Sequence, residues 1–185
     1  MIKNEGVTLL HILFVCTGNI CRSPIAERLA IRRATQLGIH RFTASSAGTR
    51  AVIGHPIHPH AMAALEAMGG DPSGFTARQL TPRIASDADL ILTMTRAHRE
   101  IVLELAPRQL RRTFTLSEAA RLATHDNAET IADLAALRPH LSPNDAPDVA
   151  DPIGRDAPFH SAIAAQVANL LNPVLALCAR FCSDT

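Results

Sequence analysis

The sequence contains no tryptophan and no tyrosine, and its only benzenoid side chains are six phenylalanines. Binding sites for single-stranded nucleic acid stack bases on flat side chains in series, and this scarcity argues against such a role. Charge of one sign is lacking as well: eighteen Lys and Arg stand against seventeen Asp and Glu, a formal net charge of +1. Basic residues gather only in short clusters such as Arg111-Arg112. Nothing therefore draws the chain electrostatically to nucleic acid or to a membrane surface. The N-terminal apolar run, Val7 to Val15, is broken by Thr8 and His11. It is too short to span a bilayer and has no leader-like layout. Cysteine is sparse too. Cys16, Cys21, Cys178 and Cys182 are too few and too clustered for a secreted disulfide framework. The expected location is the cytoplasm, where these four are free thiols.

What is present reads as one folded domain over 1–185, with residues 1–8 expected to be a flexible N-terminus. At 47% hydrophobic and 19% charged, 185 residues suffice for a substantial core. Residues 9–16, LLHILFVC, form a short apolar run rich in β-formers, read as a buried strand. Apolar positions at Ile25, Ala26, Leu29, Ala30, Ala34 and Leu37 then follow a helical spacing that Gly38 stops. Further strands are expected at 42–48, 88–94 and 112–116. Helices are expected after His58, over TRAHREIVLELA up to Pro107, from Ser117, over 128–138, and over roughly 159–181 with a kink or break at Pro173. Strands alternating with helices imply a parallel sheet covered on both faces. Residues 138–158 hold prolines at 139, 143, 147, 152 and 158, which keep that segment in a loop.

The most informative stretch is FVCTGNICRSP, residues 14–24. It sets Cys16 at the carboxyl end of a strand, where open α/β sheets bind ligands. Gly18 allows close backbone approach and Asn19 tolerates a left-handed dihedral, so the loop Thr17-Gly18-Asn19-Ile20-Cys21 can curl its N–H groups inward. Amides in such a nest, beside a helix N-terminus, favour an anion with several oxygens. Arg22 adds a planar fork for two of those oxygens. The same positive field favours a thiolate at Cys16, aimed at the bound anion. Ser23 can hydrogen-bond the sulfur, and Pro24 suits the first turn of a helix.

With these blocks go SSAGT (45–49), ARQLT (77–81), DLILTMTRAHR (89–99) and DPIG (151–154). Together they resemble the low-molecular-weight protein tyrosine phosphatases over most of the chain. The resemblance implies a three-layer α/β/α fold, flavodoxin-like, with a four-stranded parallel sheet. It also implies phosphomonoester hydrolysis through a cysteinyl-phosphate, with no cofactor and no metal. Cys16 would be the nucleophile and Arg22 the phosphate clamp. Thr17, Gly18, Asn19, Ile20, Cys21 and Ser23 would line the phosphate loop, and Ser45 or Ser46 would support it from behind. A phosphorylated protein or small phosphomonoester is the expected partner.

Ester cleavage also needs a proton donor for the leaving oxygen, and a carboxylic acid on a loop suits that task. Asp145, Asp148, Asp151 and Asp156 all lie in the proline-rich segment. The family's acid stands in an Asp-Pro pair before the last helix, which selects Asp151. The chain departs from phosphotyrosine-specific members where aromatics are common: Ile153 and Gly154 follow the Asp-Pro pair, and Ala51 or Val52 stands opposite. Phe75 replaces a histidine found in some members. In some relatives a second cysteine at the position of Cys21 pairs with the nucleophile under oxidation, and Cys21 could do so here.

In GHPIHPH, His55, His58 and His60 sit together, but their spacing matches no metal-site pattern, and a contact at the substrate rim is expected instead. Cys178 and Cys182 share a face of the last helix, and His98 is expected to cap or pack near its own helix. Two other functions remain open. Arsenate reduction would use an external thiol, since no cysteine lies between Cys21 and Cys178 to relay electrons. A phosphate-binding regulatory module would need no turnover, and the chain keeps cysteine, arginine and acid alike.

Overall fold

The computed structural model describes residues 9–183; the expected flexible segment 1–8 lies outside them. Four strands, β1 (Leu10–Cys16), β2 (Phe42–Gly48), β3 (Leu90–Thr93) and β4 (Thr113–Thr115), form one all-parallel sheet in the order β2-β1-β3-β4. Strand β1 extends toward β2 on one side and β3 on the other, so the order reverses at its carboxyl end. Such a switch point opens a crevice beyond the strand tips, and Cys16 closes β1 there.

Alternation along β1 divides the interior. Leu10, Ile12 and Phe14 face the larger core, under α1 (Arg22–Gln36), α2 (Pro59–Ala67), α5 (Leu116–Ala123) and α7 (Ala157–Ser183). Leu13 and Val15 face a smaller core with Ala47, Ile91 and Val102, beneath α3 (Pro82–Ser86) and α4 (Arg96–Leu105). Phe14 and Phe114 are fully buried anchors of the first core. Helix α6 (Ile131–Leu137) begins at a capping box made by Thr130 and Asp133.

Two expectations change. Of the kink or break expected at Pro173, the break does not occur: α7 is one continuous helix through it. A proline removes one ladder hydrogen bond, but α7 packs along α1, α2 and α5, and that tertiary burial holds the helix where propensity would not. Its stretch Ala157–Arg180 is long and apolar enough to cross a membrane by length and composition alone. Here the apolar residues Val167, Leu171, Val174 and Leu175 are buried in the core. Second, the segment 138–158 is not loop throughout. It carries 3₁₀ turns at Arg138–His140 and Pro143–Asp145, and Pro158 already lies in the first turn of α7. The short helix α3, capped by the Thr81 hydroxyl, has no counterpart among the expected elements.

Candidate active site

The loop between β1 and α1 turns its two kinds of backbone group in opposite directions. Its carbonyls point outward to the segment 49–58: Cys16 to the Thr49 amide, Thr17 to Arg50, Gly18 to Val52 and Ile20 to His58, at 2.8–3.0 Å. The amides of Gly18, Asn19, Ile20 and Cys21 donate to no protein group among the described residues. Four carbonyls held outside leave the amides on the concave side, above Cys16. This is the geometry of an anion nest, and it continues into the amino end of α1.

The turn is made by Asn19, not Gly18. Asn19 is the one non-glycine residue with a positive φ among those described, at 56°, and it is fully buried. Its side chain fixes the loop. The Arg78 amide can only donate, so the oxygen 2.9 Å away is Oδ1, and the Asn19 amide group points the other way. From there Nδ2 donates to Ser23 Oγ at 2.9 Å and Ser46 Oγ at 2.8 Å. Each serine then has its own proton to give. Ser46 donates to Glu27 Oε2 at 2.6 Å, and Ser23 lies 2.9 Å from Cys16 Sγ with its hydroxyl proton free for the sulfur. Burial holds the Glu27 carboxyl above its ordinary range, against the downward pull of Ser46 and of Arg28 and Arg78.

Of the two serines expected behind the loop, the structure brings Ser46 there. Ser45 points to the other face of β2, where its hydroxyl meets His11 Nε2 at 2.7 Å. Gly48 ends β2 where a side chain cannot fit: an added Cβ would lie 2.5 Å from the Thr17 carbonyl oxygen.

Arg22 is buried, with 4% exposure. Nη1 donates to the Val149 carbonyl at 3.0 Å and Nη2 to Asp151 Oδ2 at 2.7 Å. Among the four candidate aspartates only Asp151 meets Arg22. Asp148 accepts from the Arg96 amide, Asp156 from the Phe159 amide at the start of α7, and Asp145 closes a 3₁₀ turn. The Val149 amide donates to the Met94 carbonyl, which anchors this segment against the end of β3.

Three contributors lie in the blocks ARQLT and DLILTMTRAHR but have no expected role at the loop; His98 is expected to cap or pack near its own helix, and its contact with Thr95, the cap of α4, agrees with that. His98, in the first turn of α4, reaches across to the loop: its ring spans Thr95 Oγ1 and Thr17 Oγ1, at 2.8 Å each. Burial, helped by the nearby Arg22 cation, pushes His98 down to about 4, so it stays neutral and donates on one side while accepting on the other. Gln79 accepts from the Ala51 amide and donates to the Thr49 carbonyl, bracing the segment that holds the loop carbonyls. Arg78 fixes Asn19 and donates from Nε to the Ser46 carbonyl. The blocks mark these segments, but spacing within them does not say which side chains reach the loop.

Cys21 is buried, and burial with the nearby Cys16 and Asp151 pushes its thiol up to about 12. It is not a thiolate at neutral pH. His58 and His60 do approach one another, but His55 is exposed at a turn, and the third ring beside them is His160 of α7. The Cys178 side chain is buried in the core; the Cys182 side chain lies outside those described. Phe75 packs on the rim of the core with the Arg28 guanidinium 5.7 Å from its ring centre. Val52 and Ile53, in the segment that binds the loop carbonyls, and Ile153, two residues after Asp151, are exposed, so aliphatic groups stand where flat aromatics were absent from the sequence.

Comparison with known proteins agrees with this arrangement. The family model for low molecular weight phosphotyrosine protein phosphatase matches residues 11–134. The Escherichia coli K12 low molecular weight protein-tyrosine-phosphatase Wzb is 41% identical over 97 residues, which are 52% of this chain. The match spans 63% of that relative's length, just under two thirds. Among solved structures, a low molecular weight protein tyrosine phosphatase from T. tengcongensis superposes with a TM-score of 0.73 at 28% identity, covering 90% of this chain and 98% of that one. The YwlE arginine phosphatase from Geobacillus stearothermophilus gives 0.71 at 26% identity, covering 90% and 91%.

Proposed function

Since the chain belongs to the low molecular weight phosphotyrosine protein phosphatase family, we propose that it hydrolyses phosphomonoesters through a covalent cysteinyl-phosphate. One observation carries this reading: the loop carbonyls between Cys16 and Arg22 are bound on the outside by the segment 49–58, which turns the amides that follow them inward, and Ser23 Oγ lies 2.9 Å from Cys16 Sγ. Three phosphate oxygens can lie among the amides and the guanidinium while the sulfur faces phosphorus in line with the ester oxygen.

In the first step the S–P bond forms as the P–O ester bond breaks, and Asp151 gives its proton to the departing oxygen. In the second step water attacks phosphorus and Asp151 takes its proton. The S–P bond then breaks, returning the thiolate and inorganic phosphate. The Ser23 hydroxyl supports the sulfur both as nucleophile and as leaving group. Ser46 and Asn19 keep the loop in shape for each turnover.

The substrate we propose is a phosphorylated protein side chain. The aliphatic rim of Val52 and Ile153 offers contact without ring stacking, which elsewhere adds about 0.5–1.5 kcal/mol per aromatic pair. Phosphotyrosine is thus expected to be held less firmly than by an aromatic-walled site. Because one structural neighbour is described as an arginine phosphatase, phosphoarginine belongs in the substrate comparison.

The test is turnover of p-nitrophenyl phosphate at mildly acid pH with EDTA present, beside Cys16→Ser and Asp151→Ala. Activity that vanishes in the first variant and falls steeply in the second supports the mechanism. An inactive wild type would overturn it and make arsenate with a small thiol the next substrate to try.

A further inference from the structure

Behind the phosphate loop, three side chains from distant parts of the chain converge on one point. Cys21 comes from the end of the loop, His58 from the residue before α2, and His160 from the first turn of α7. One donor atom of each lies within 4.8 Å of the others. Cys21 and His160 are buried, at 3% and 1% exposure, and His58 is half-buried.

The hydrogen-bond accounting makes the cluster unusual. Among the described residues neither ring nitrogen of His160 makes a hydrogen bond of normal geometry, although the Pro152 carbonyl lies near the ring, and His58 Nδ1 makes none either. Each unmet buried polar atom costs on the order of 1–3 kcal/mol, so native interiors keep few of them. The His58 and His160 rings lie nearly parallel, 9° apart with centres 4.9 Å apart. Imidazole nitrogen is a ligand atom for metal ions of the zinc class, and these nitrogens are buried.

We propose that Cys21, His58 and His160 form a binding site for a divalent metal ion of the zinc class. Sulfur and imidazole nitrogen are the donors such ions select, whereas magnesium and calcium require oxygen. Zinc bonds of about 2.0–2.3 Å in a tetrahedron set the ligand atoms roughly 3.5 Å apart. Closing from 4.8 Å asks each side chain to move by about 1 Å, and the nearly parallel His58 and His160 rings to tilt so that their in-plane lone pairs meet at one ion, both by side-chain rotation. His60, its ring centre 5.6 Å from that of His58 and 5.4 Å from that of His160, stands at the exposed rim and can complete the shell, as can water. Binding replaces the Cys21 S–H proton by the metal and releases that proton to solvent.

The ion would tie the phosphate loop to α2 and to the start of α7, a few residues after Asp151. It would also engage the Cys21 sulfur, withdrawing it from any reaction with Cys16. The two ends of this site are separated by 139 positions in sequence, which is why local spacing in GHPIHPH does not disclose it. The proposal does not depend on turnover: it concerns a site whose ligands exclude Cys16 and Asp151.

Cobalt(II) is the probe, because a tetrahedral cobalt thiolate centre has visible absorption bands and a sulfur-to-metal charge-transfer band. Titration of the full chain under reducing conditions should give both with one ion per chain, and zinc should displace cobalt with a Kd of about 1 μM or tighter. Cys16→Ser should retain both bands. Cys21→Ser should lose the charge-transfer band, and it and His160→Ala should weaken binding by at least about 100-fold. His58→Ala, at a less buried position, gives the same reading should either of those variants fail to fold by circular dichroism. Absence of the thiolate band in the wild type overturns the proposal. So does its loss in Cys16→Ser, which would put the metal on the nucleophile, or its persistence in Cys21→Ser. Magnesium giving equal protection against thermal unfolding would also count against it.

Discussion

Arg22 Nη2 lies 2.7 Å from Asp151 Oδ2, joining a guanidinium fixed in the interior to a carboxylate that is 49% exposed. The pair is unequal. Arg22 is also held by the Val149 carbonyl, whereas Asp151 is otherwise held, among the described residues, by the Ile153 amide alone. An arriving phosphate has more charge and more oxygens than one carboxylate, so it competes for Nη2 and frees Asp151 toward the ester oxygen.

A proton donor matters most when the leaving oxygen is basic. Asp151→Asn is therefore expected to lower kcat/KM, which reports ester cleavage and not the later hydrolysis of the cysteinyl-phosphate, by about 10²–10⁴-fold on phenyl phosphate and by clearly less on p-nitrophenyl phosphate. A series of aryl phosphates measures this directly. An equal loss across the series would assign Asp151 to holding Arg22 instead of to proton transfer.

Asn19 combines a strained dihedral with three hydrogen bonds, and two substitutions separate those roles. Asn19→Gly tolerates the φ of 56° but strands Ser23, Ser46 and the Arg78 amide, an expected cost of about 2–3 kcal/mol. Asn19→Ala adds the left-handed penalty, about 1 kcal/mol more. Urea unfolding reads both. Inhibition by inorganic phosphate should weaken at least tenfold in each variant, on the order of 1.4 kcal/mol. Equal stability of the two would show that the dihedral imposes no constraint.

How much of this was legible in the sequence follows from how local each feature is. The phosphate loop is contiguous, Cys16 to Ser23, so its glycine, asparagine, arginine and helix start could be read together. Strand β2 coincides with the residues expected, because FTASSAG is bounded by loop signals on both sides. Choosing Ser46 over Ser45 needed the strand's register: with Cys16 opposite Gly48 and Phe14 opposite Ser46, only the latter shares a face with the loop's supports. His98 acts on Thr17 from 81 positions away, and a helical histidine carries no sign of what faces it. The passage of α7 through Pro173 was hidden for the opposite reason. Local propensity argued for a break, and packing against three helices outweighed it.

Gly48 tests whether the loop's backing is rigid. A methyl group there meets the Thr17 carbonyl, which is backbone already bound to the Arg50 amide and cannot step aside alone. Gly48→Ala is expected to cost about 1–3 kcal/mol and to lower kcat/KM with it, as the displaced loop loses its aim at the anion. Gly74→Ala is the control: its φ of +66° brings strain, but nothing lies within 4 Å of the new Cβ. Thermal unfolding should register both variants, and only the first should change turnover.

His98 couples acid stability to the loop. Its ordinary value of 6.5 applies to the unfolded chain, and burial with Arg22 lowers it to about 4 in the fold. Between these values the unfolded chain binds the proton more readily than the native one. Stability should therefore be fully present above pH 6.5 and decline as the pH falls toward 4. The share due to this residue is on the order of 1–2 kcal/mol after solvent screening. His98→Gln keeps a donor and an acceptor near Thr95 and Thr17 but removes the titration. Its urea midpoint, followed from pH 7 to 4, should decline less steeply than that of the wild type, although its stability at neutral pH is lower. Matching slopes would assign the acid sensitivity to other groups and leave His98 a purely structural bridge between α4 and the phosphate loop.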